Sequence, residues 1–348
     1  MNHEFYMQRC LELAEKGLGN TSPNPLVGAV IVHEDKIIGE GYHQQYGGPH
    51  AEVNAINSVK NKSLLKDSKI YVSLEPCSHY GKTPPCANLI VDSEISEVII
   101  CNKDPHEKVA GKGIKLLEKA GIKVSCGILE NKGEWINRRF FKFHKTHLPY
   151  VILKWAQNQN GFMDKTRASN DVGVNWITKP ETKTIVHTWR AEEDAILIGA
   201  NTVLNDSPSL DVRHASGKNP LRIVVDPNNK ISDSHEFWNL DNPTLVFSKS
   251  IRNINKNTEC YLLKNDENIT NQVLELLAAK NILSVIIEGG KTTLESFIQY
   301  DQWDEARVLT GTNDWIKGLK SPKISGTLIE EANITADHLK LITRDISL

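Results

Sequence analysis

No stretch of this sequence reaches the roughly 18 consecutive apolar residues that a helix needs to cross a bilayer, so no helical membrane span is expected. The opening residues Met1-Asn2-His3-Glu4 lack the basic and then apolar regions of a secretory leader, which sets the expectation of a cytoplasmic protein with no membrane partner. A surplus of one charge is also missing. The 41 Lys and Arg against 43 Asp and Glu leave a net charge of -2, and nothing in that balance asks for a nucleic-acid partner. Cysteine is scarce: six in 348 residues are too few for a disulfide framework, and in a reducing compartment a clustered set points to metal ligation instead. Low-complexity tracts and internal repeats are absent, and 39% hydrophobic with 24% charged residues describes a folded globular chain. A chain of 348 residues outgrows one hydrophobic core, so two domains are expected.

Turning to what is present, Phe5, Met7, Cys10, Leu11, Leu13 and Ala14 recur mainly at helical spacing, with Gly17 and Gly19 as stops. Thr21-Ser22-Pro23-Asn24-Pro25 is a stiff turn, because each proline fixes its own backbone and biases the residue before it toward extended conformation. Two β-rich runs, Val27 to Val32 and Lys36 to Gly41, flank the short hairpin connection His33-Glu34-Asp35. Beyond Pro49, Val53, Ala55, Ile56 and Val59 place His50 and Glu52 on the first turn of a helix. Lys69 to Leu74 reads as a strand ending in Glu75-Pro76-Cys77, followed by helix, strand, helix and strand near 86–92, 97–101, 113–120 and 124–128. A hairpin followed by such alternation predicts a layered sheet flanked by helices, closing a first domain near residue 145. Residues 135–149 set Arg138, Arg139, Lys142 and Lys145 among Phe140, Phe141 and Phe143; a nucleic-acid patch and an amphipathic connecting helix both fit, and the balanced charge favours the helix. A second α/β domain follows, with strands near 195–200, 221–226, 244–248, 283–288 and 306–310 and helices near 179–191 and 270–280, while the Asn- and Lys-rich residues 249–271 read as a surface excursion.

His50, Cys77 and Cys86 are ligand types that suit Zn²⁺, and three protein ligands leave the fourth tetrahedral position free, as a catalytic site requires. Each alone reads as a structural histidine or a buried thiol. Together, at a helix start and after a strand, they read as a metal set, while Cys10, Cys101, Cys126 and Cys260 read as small apolar residues. Glu52, two residues past His50, is placed to exchange protons with an activated water. H-x-E followed by P-C-x-x-C is the pattern of zinc nucleobase deaminases, so the expected substrate is an amino-substituted, electron-poor heterocycle. One departure stands out: Ser78 to Pro85 put eight residues between the two cysteines. A nucleoside or tRNA deaminase and a zinc-stabilised binding module are the rival readings.

Pro23 to Gly28, His50-Ala51-Glu52 and, above all, Leu74-Glu75-Pro76-Cys77-Ser78-His79-Tyr80-Gly81-Lys82-Thr83-Pro84-Pro85-Cys86 resemble the bifunctional riboflavin biosynthesis deaminase/reductases, whose zinc loop carries the long insertion. Asn175-Trp176-Ile177-Thr178, Thr202 to Pro208 and Glu288-Gly289-Gly290 resemble that family's reductase motifs, so the resemblance spans nearly the whole chain. It implies a cytidine-deaminase-like three-layer α/β/α domain over 1–145 and a dihydrofolate-reductase-like α/β domain over 146–348. It also implies one Zn²⁺ per chain at His50, Cys77 and Cys86, with Glu52 catalytic, and NADPH in the second domain. The implied reactions are hydrolytic deamination of a diaminopyrimidinone ribosylamine phosphate and reduction of its ribosyl group to ribityl. The alternative is a second domain that binds nucleotide without reducing. By matching positions, Asn24, His43, His79 and Lys82 would contact the deaminase substrate, and Arg190, Leu210, Arg213 and Glu288 the phosphorylated substrate of the reductase. Gln157, Trp176, Thr202, Asp206, Gly290, Lys291, Thr292 and Thr293 would hold the cofactor. The small-molecule phosphorylated pyrimidine is the expected partner, and a homo-oligomer, dimer or tetramer, the expected state.

On residues alone the second domain says less. Glu288-Gly289-Gly290-Lys291-Thr292-Thr293 follows Val285-Ile286-Ile287 and precedes Leu294, Phe297 and Ile298, so glycines enter a helix whose amides can bind phosphate. The run is not G-x-G-x-x-G, a Rossmann fold is not supported, and a generic strand-to-helix turn fits equally well; the resemblance decides for NADPH. Three places depart from the family: Gln157-Asn158-Gln159-Asn160-Gly161 replaces small residues and an aspartate, Val174 stands where a substrate-binding serine is common, and Pro227 where a polar cofactor contact can occur.

Overall fold

The computed structural model describes residues 2–78, 84–106, 110–168, 171–264 and 267–344. The chain divides into two compact units, Met1–His147 and Leu148–Leu348. The first contains α1 (His3–Glu15), β1 (Gly28–His33), β2 (Lys36–Tyr42), α2 (Ala51–Ser58), β3 (Lys69–Leu74), α3 (Cys86–Asp92), β4 (Glu97–Asn102), α4 (Lys112–Lys119), β5 (Lys123–Cys126), α5 (Glu130–Ile136) and α6 (Arg138–Thr146). Its five-stranded sheet has the order β2-β1-β3-β4-β5, with β3, β4 and β5 parallel and β1 antiparallel to both neighbours.

Alternation along the strands builds the layers. Ala29, Ile31, Ile70, Val72, Val98 and Ile100 pack against residues of α2, α3 and α4 on one face. Val30, Val32, Tyr71, Ile99 and Cys101 pack against α1 on the other. The β1–β2 hairpin closes through Glu34 and Asp35, both in the left-handed region that a tight primed turn requires. α2 lies so close to β2 that a Cβ on Gly41 would sit 2.3 Å from the Ala55 amide nitrogen and 2.6 Å from the Ala51 carbonyl oxygen. That close approach fixes the helix start, and with it His50 and Glu52.

Residues 135–149, expected as one connecting helix, fall on the end of α5 and on α6, with the chain leaving α6 after Thr146. Asn137 ends α5 and opens α6 because its side chain is committed elsewhere: Oδ1 accepts the Leu26 N–H and Nδ2 donates to the Leu26 carbonyl, both at 2.8 Å.

The second unit contains β6 (Tyr150–Asn158), β7 (Phe162–Asp164), α7 (Thr182–Glu192), β8 (Ala195–Gly199), α8 (Ala200–Asp206), β9 (Leu221–Val225), β10 (Thr244–Ser248), β11 (Thr258–Leu262), α9 (Ile269–Ala279), β12 (Ser284–Ile287), α10 (Lys291–Gln299), β13 (Glu305–Gly311), β14 (Leu319–Lys320), β15 (Thr327–Ile334) and β16 (Asp337–Thr343). A nine-stranded sheet runs β11-β10-β9-β8-β12-β6-β13-β16-β15, and β7 pairs separately with β14. The first seven strands are parallel and bring their carboxyl ends to one edge; β16 and β15 join antiparallel. Burial on both faces explains why β8 reads as a continuous apolar run, Ala195 to Ile198, rather than an alternating one. The surface excursion expected over 249–271 is only partly so: Thr258–Leu262 is an edge strand, paired with β10 from Thr244↔Thr258 to Ser248↔Leu262. β15 and β16 lie beyond any strand the sequence pattern suggested.

Candidate functional site

At the carboxyl end of β3, Pro76 has no N–H to continue the ladder, and the chain leaves the sheet carrying Cys77. The Cys77 carbonyl accepts the Ala87 amide at 3.1 Å and its sulfur accepts the Cys86 amide at 3.3 Å, which folds the start of α3 onto it. Cys86 is the first residue of α3 and His50 the N-cap of α2, so two helix N-termini bring their partial positive charge to the thiols. His50 Nδ1 lies 3.3 Å from Cys86 Sγ and 3.6 Å from Cys77 Sγ, and all three ligand atoms fall within 4.8 Å of one another. Zn–S bonds of about 2.3 Å and Zn–N bonds of about 2.0–2.1 Å at a tetrahedral angle separate nitrogen and sulfur ligands by about 3.5 Å, so this donor set fits Zn²⁺ with one position left over.

The three side chains differ in how tightly each holds a proton. Cys77 is held well below the usual thiol range, chiefly by the hydrogen bond from the Cys86 thiol, and that same bond pushes Cys86 up. The His50 pKa is raised by its bond with Cys77. Glu52, 3% exposed on the first turn of α2, is pushed up to about 7 by burial and then by the Cys77 charge. A carboxyl poised near neutrality beside the ligand set has the properties of a proton carrier.

His43 and Asn24 complete this wall. His43 Nδ1 meets the Pro49 carbonyl at 3.0 Å, and a carbonyl only accepts, so Nδ1 carries the proton. Its bare Nε2 therefore accepts from Asn24 Nδ2 at 3.0 Å, and burial lowers the His43 pKa, favouring this neutral form. The His43 and His50 rings stand edge to face at 5.6 Å. His79 and Lys82 lie outside the described residues.

In the second unit a cleft of about 1160 Å³ opens along the carboxyl ends of the parallel strands. Its wall includes Trp176, Thr202, Asp206, Gly290, Lys291, Thr292 and Thr293, together with Arg190, Leu210, Arg213 and Glu288. The departing positions Val174 and Pro227 line it too. Gln157 does not: the wall takes Trp155 and Ala156, and the Gln157 side chain is turned to accept the Trp155 Nε1–H at 3.1 Å. Gly290 caps α10 at φ 68 without a side-chain cap bond, leaving first-turn amides for a ligand. The threonines fill the space that side chains at the glycines would need: a Cβ on Gly199 would lie 2.5 Å from Thr293 Oγ1, and one on Gly289 3.0 Å from Thr202 Oγ1. This cradle of glycine and threonine suits a cofactor pyrophosphate.

Glu288 is held by Arg190 through two bonds of 2.8 and 2.7 Å and approached by Lys154 at 3.5 Å. Burial works to raise its pKa, but the two cations hold it down to about 2. Arg213 is more exposed and pairs with Asp211 at 3.2 Å. Lys183 lies 3.7 Å over the half-exposed Trp176 ring. Sequence reasoning passed over Lys154, although a single lysine inside the otherwise apolar run Tyr150 to Trp155 was a usable signal. It also passed over the inward-facing Glu75, whose partners are remote in sequence.

Residues 1–102 match the cytidine and deoxycytidylate deaminase zinc-binding region, and residues 149–312 match the RibD C-terminal domain. The riboflavin biosynthesis protein RibD of Bacillus amyloliquefaciens is 41% identical over 311 residues, covering 87% of this chain and 82% of that protein. That of Aquifex aeolicus is 37% identical over 336 residues, covering 94% and 92%. Among solved structures, a diaminohydroxyphosphoribosylaminopyrimidine deaminase/5-amino-6-(5-phosphoribosylamino)uracil reductase from Thermotoga maritima superposes with a TM-score of 0.89 at 32% identity, covering 99% of each chain. RibD of Acinetobacter baumannii superposes with a TM-score of 0.87 at 29% identity, also over 99% of each.

Proposed function

The chain belongs to the RibD family of riboflavin biosynthesis proteins, and from that premise we propose how its residues divide the work. It is a bifunctional enzyme, a zinc deaminase and an NADPH-dependent reductase. We assign deamination to residues 1–145, acting on the diaminopyrimidinone ribosylamine phosphate, and reduction of the deaminated ribosylamino uracil to residues 146–348.

Zn²⁺, when bound by His50, Cys77 and Cys86, makes water acidic enough to attack near neutral pH. Glu52 takes a proton from the attacking water and returns protons to the ring nitrogen and the departing amine, so the carbon–nitrogen bond breaks and ammonia leaves. Asn24, steadied by His43, presents its remaining amide donor and acceptor to the pyrimidine edge. His79 and Lys82 keep their assignment by matching positions alone.

NADPH, when bound, supplies the hydride for the second step. The turn Gly290 to Thr293, with Thr202, holds its phosphates, and Trp176 and Asp206 complete that side of the cleft. Gln157 has no support from the lining of the cleft. Arg190 is already occupied by Glu288, which leaves Arg213 as the arginine better able to take the substrate phosphate, beside Leu210. A homo-oligomer, dimer or tetramer, and a cytoplasmic location belong to the same reading; light scattering on the purified chain tests the first.

The observation that carries this reading is the zinc-compatible triad with Glu52 beside it. Following ammonia release and NADPH oxidation in one reaction tests it. Ammonia should appear without NADPH, and NADPH oxidation should begin only after deamination; NADPH oxidation with no ammonia released would sink the proposed order.

A further inference from the structure

Cys86 opens α3 and His50 caps α2, both helices seated in the core, whereas Cys77 neither belongs to nor caps a helix or strand. Its position must come from the contacts of its own turn. Downstream, the amides of Cys86 and Ala87 hold it. Upstream stands Glu75, 4% exposed, whose carboxylate is answered by backbone N–H groups from one remote segment. Oε2 accepts from Gly111 at 2.9 Å and from Asp104 at 3.4 Å, and Oε1 accepts from Gly113 at 3.0 Å and Ile114 at 3.3 Å.

Gly111 is the N-cap of α4 and has no side chain with which to cap it, so Glu75 supplies from outside the helix the anionic acceptor that its first turn lacks. The packing is equally direct. A Cβ on Gly113 would lie 2.0 Å from the Pro76 carbonyl oxygen, so the turn carrying Cys77 is pressed against the first turn of α4 where only glycine fits. Carboxylate and carbonyl together lock Pro76, and the next residue is the ligand.

We propose that Glu75 is a positioning residue of the metal centre, holding Cys77 at the separation from His50 and Cys86 that Zn²⁺ requires while touching neither metal nor substrate. This rests on the zinc reading above. It differs from simple packing in what it predicts: loss of the carboxylate alters the metal's ligand field, not only the stability of the fold. Glutamine at this position keeps the shape but turns an NH₂ toward two of the four amides, so half of the cradle becomes repulsive.

The test uses the full-length wild type and Glu75→Gln, each stripped and reloaded with Co²⁺ or Zn²⁺. Wild type should show the thiolate charge-transfer and intense d–d bands of tetrahedral cobalt; their absence would overturn the zinc reading and this proposal with it. Glu75→Gln should show shifted or weakened bands and zinc affinity lower by about 10–100-fold in competition with a chelator, with NADPH oxidation on the deaminated substrate unchanged. Bands and zinc affinity equal to wild type would overturn the positioning role and leave the zinc reading standing. Should the variant fail to fold, hydrogen exchange on the wild-type chain decides: slow exchange at Gly111, Gly113 and Ile114 with and without metal supports the clamp, and fast exchange at these amides overturns it.

Discussion

Replacing Glu52 by glutamine removes its ability to carry a proton while keeping its size, and Glu52 is not among the three metal ligands. Glu52→Gln should therefore retain about one zinc per chain, by elemental analysis, while deamination falls by at least about 100-fold; near-wild-type ammonia release would remove Glu52 from the mechanism. His187 offers a second test at this scale. Its Nδ1 accepts the Arg213 N–H at 3.0 Å, and burial, followed by the charge of Arg190, pushes its pKa from 6.5 down to about 4. Between those values the unfolded chain takes up a proton that the folded chain refuses, so stability falls as pH drops through that window. Unfolding midpoints measured against pH should fall less steeply there in His187→Gln than in wild type.

At the scale of elements, the break between α5 and α6 depends on Asn137, whose amide pairs with both backbone groups of Leu26. Asn137→Ala leaves a buried N–H and C=O unsatisfied and should cost about 1–3 kcal/mol in denaturant unfolding; a smaller loss would mean that water replaces the amide. The same element shows where sequence reading stops. The basic and aromatic pattern of 135–149 announces helix, but the break is dictated by a residue more than a hundred positions away. β11 was hidden because Asn and Lys around it mask five residues whose pairing with β10 is the only strong sign of a strand. By contrast, His50, Glu52, Cys77 and Cys86 were legible because ligand chemistry restricts residue type and α2 and β3 follow from local periodicity. Glu75 was not, since acceptance of amides 29 to 39 residues away leaves no mark on its neighbours.

At the scale of the whole molecule, each of the two units has two hydrophobic clusters of its own among the described residues. Chelating the metal from the intact chain should abolish deamination yet leave NADPH oxidation intact when the deaminated substrate is supplied. Loss of both activities on chelation would show that the second step depends on the first site. The larger sheet carries a different consequence at its far side. β15 is the outermost strand, mostly exposed, and its pairing with β16 shifts register between Leu328 and Glu330. An unpaired strand edge is a template on which another chain can add and aggregate. Here the irregular ladder and the adjacent Glu330 and Glu331 make a poor template, so the β15–β16 hairpin shields the far side of the sheet from the addition of another strand.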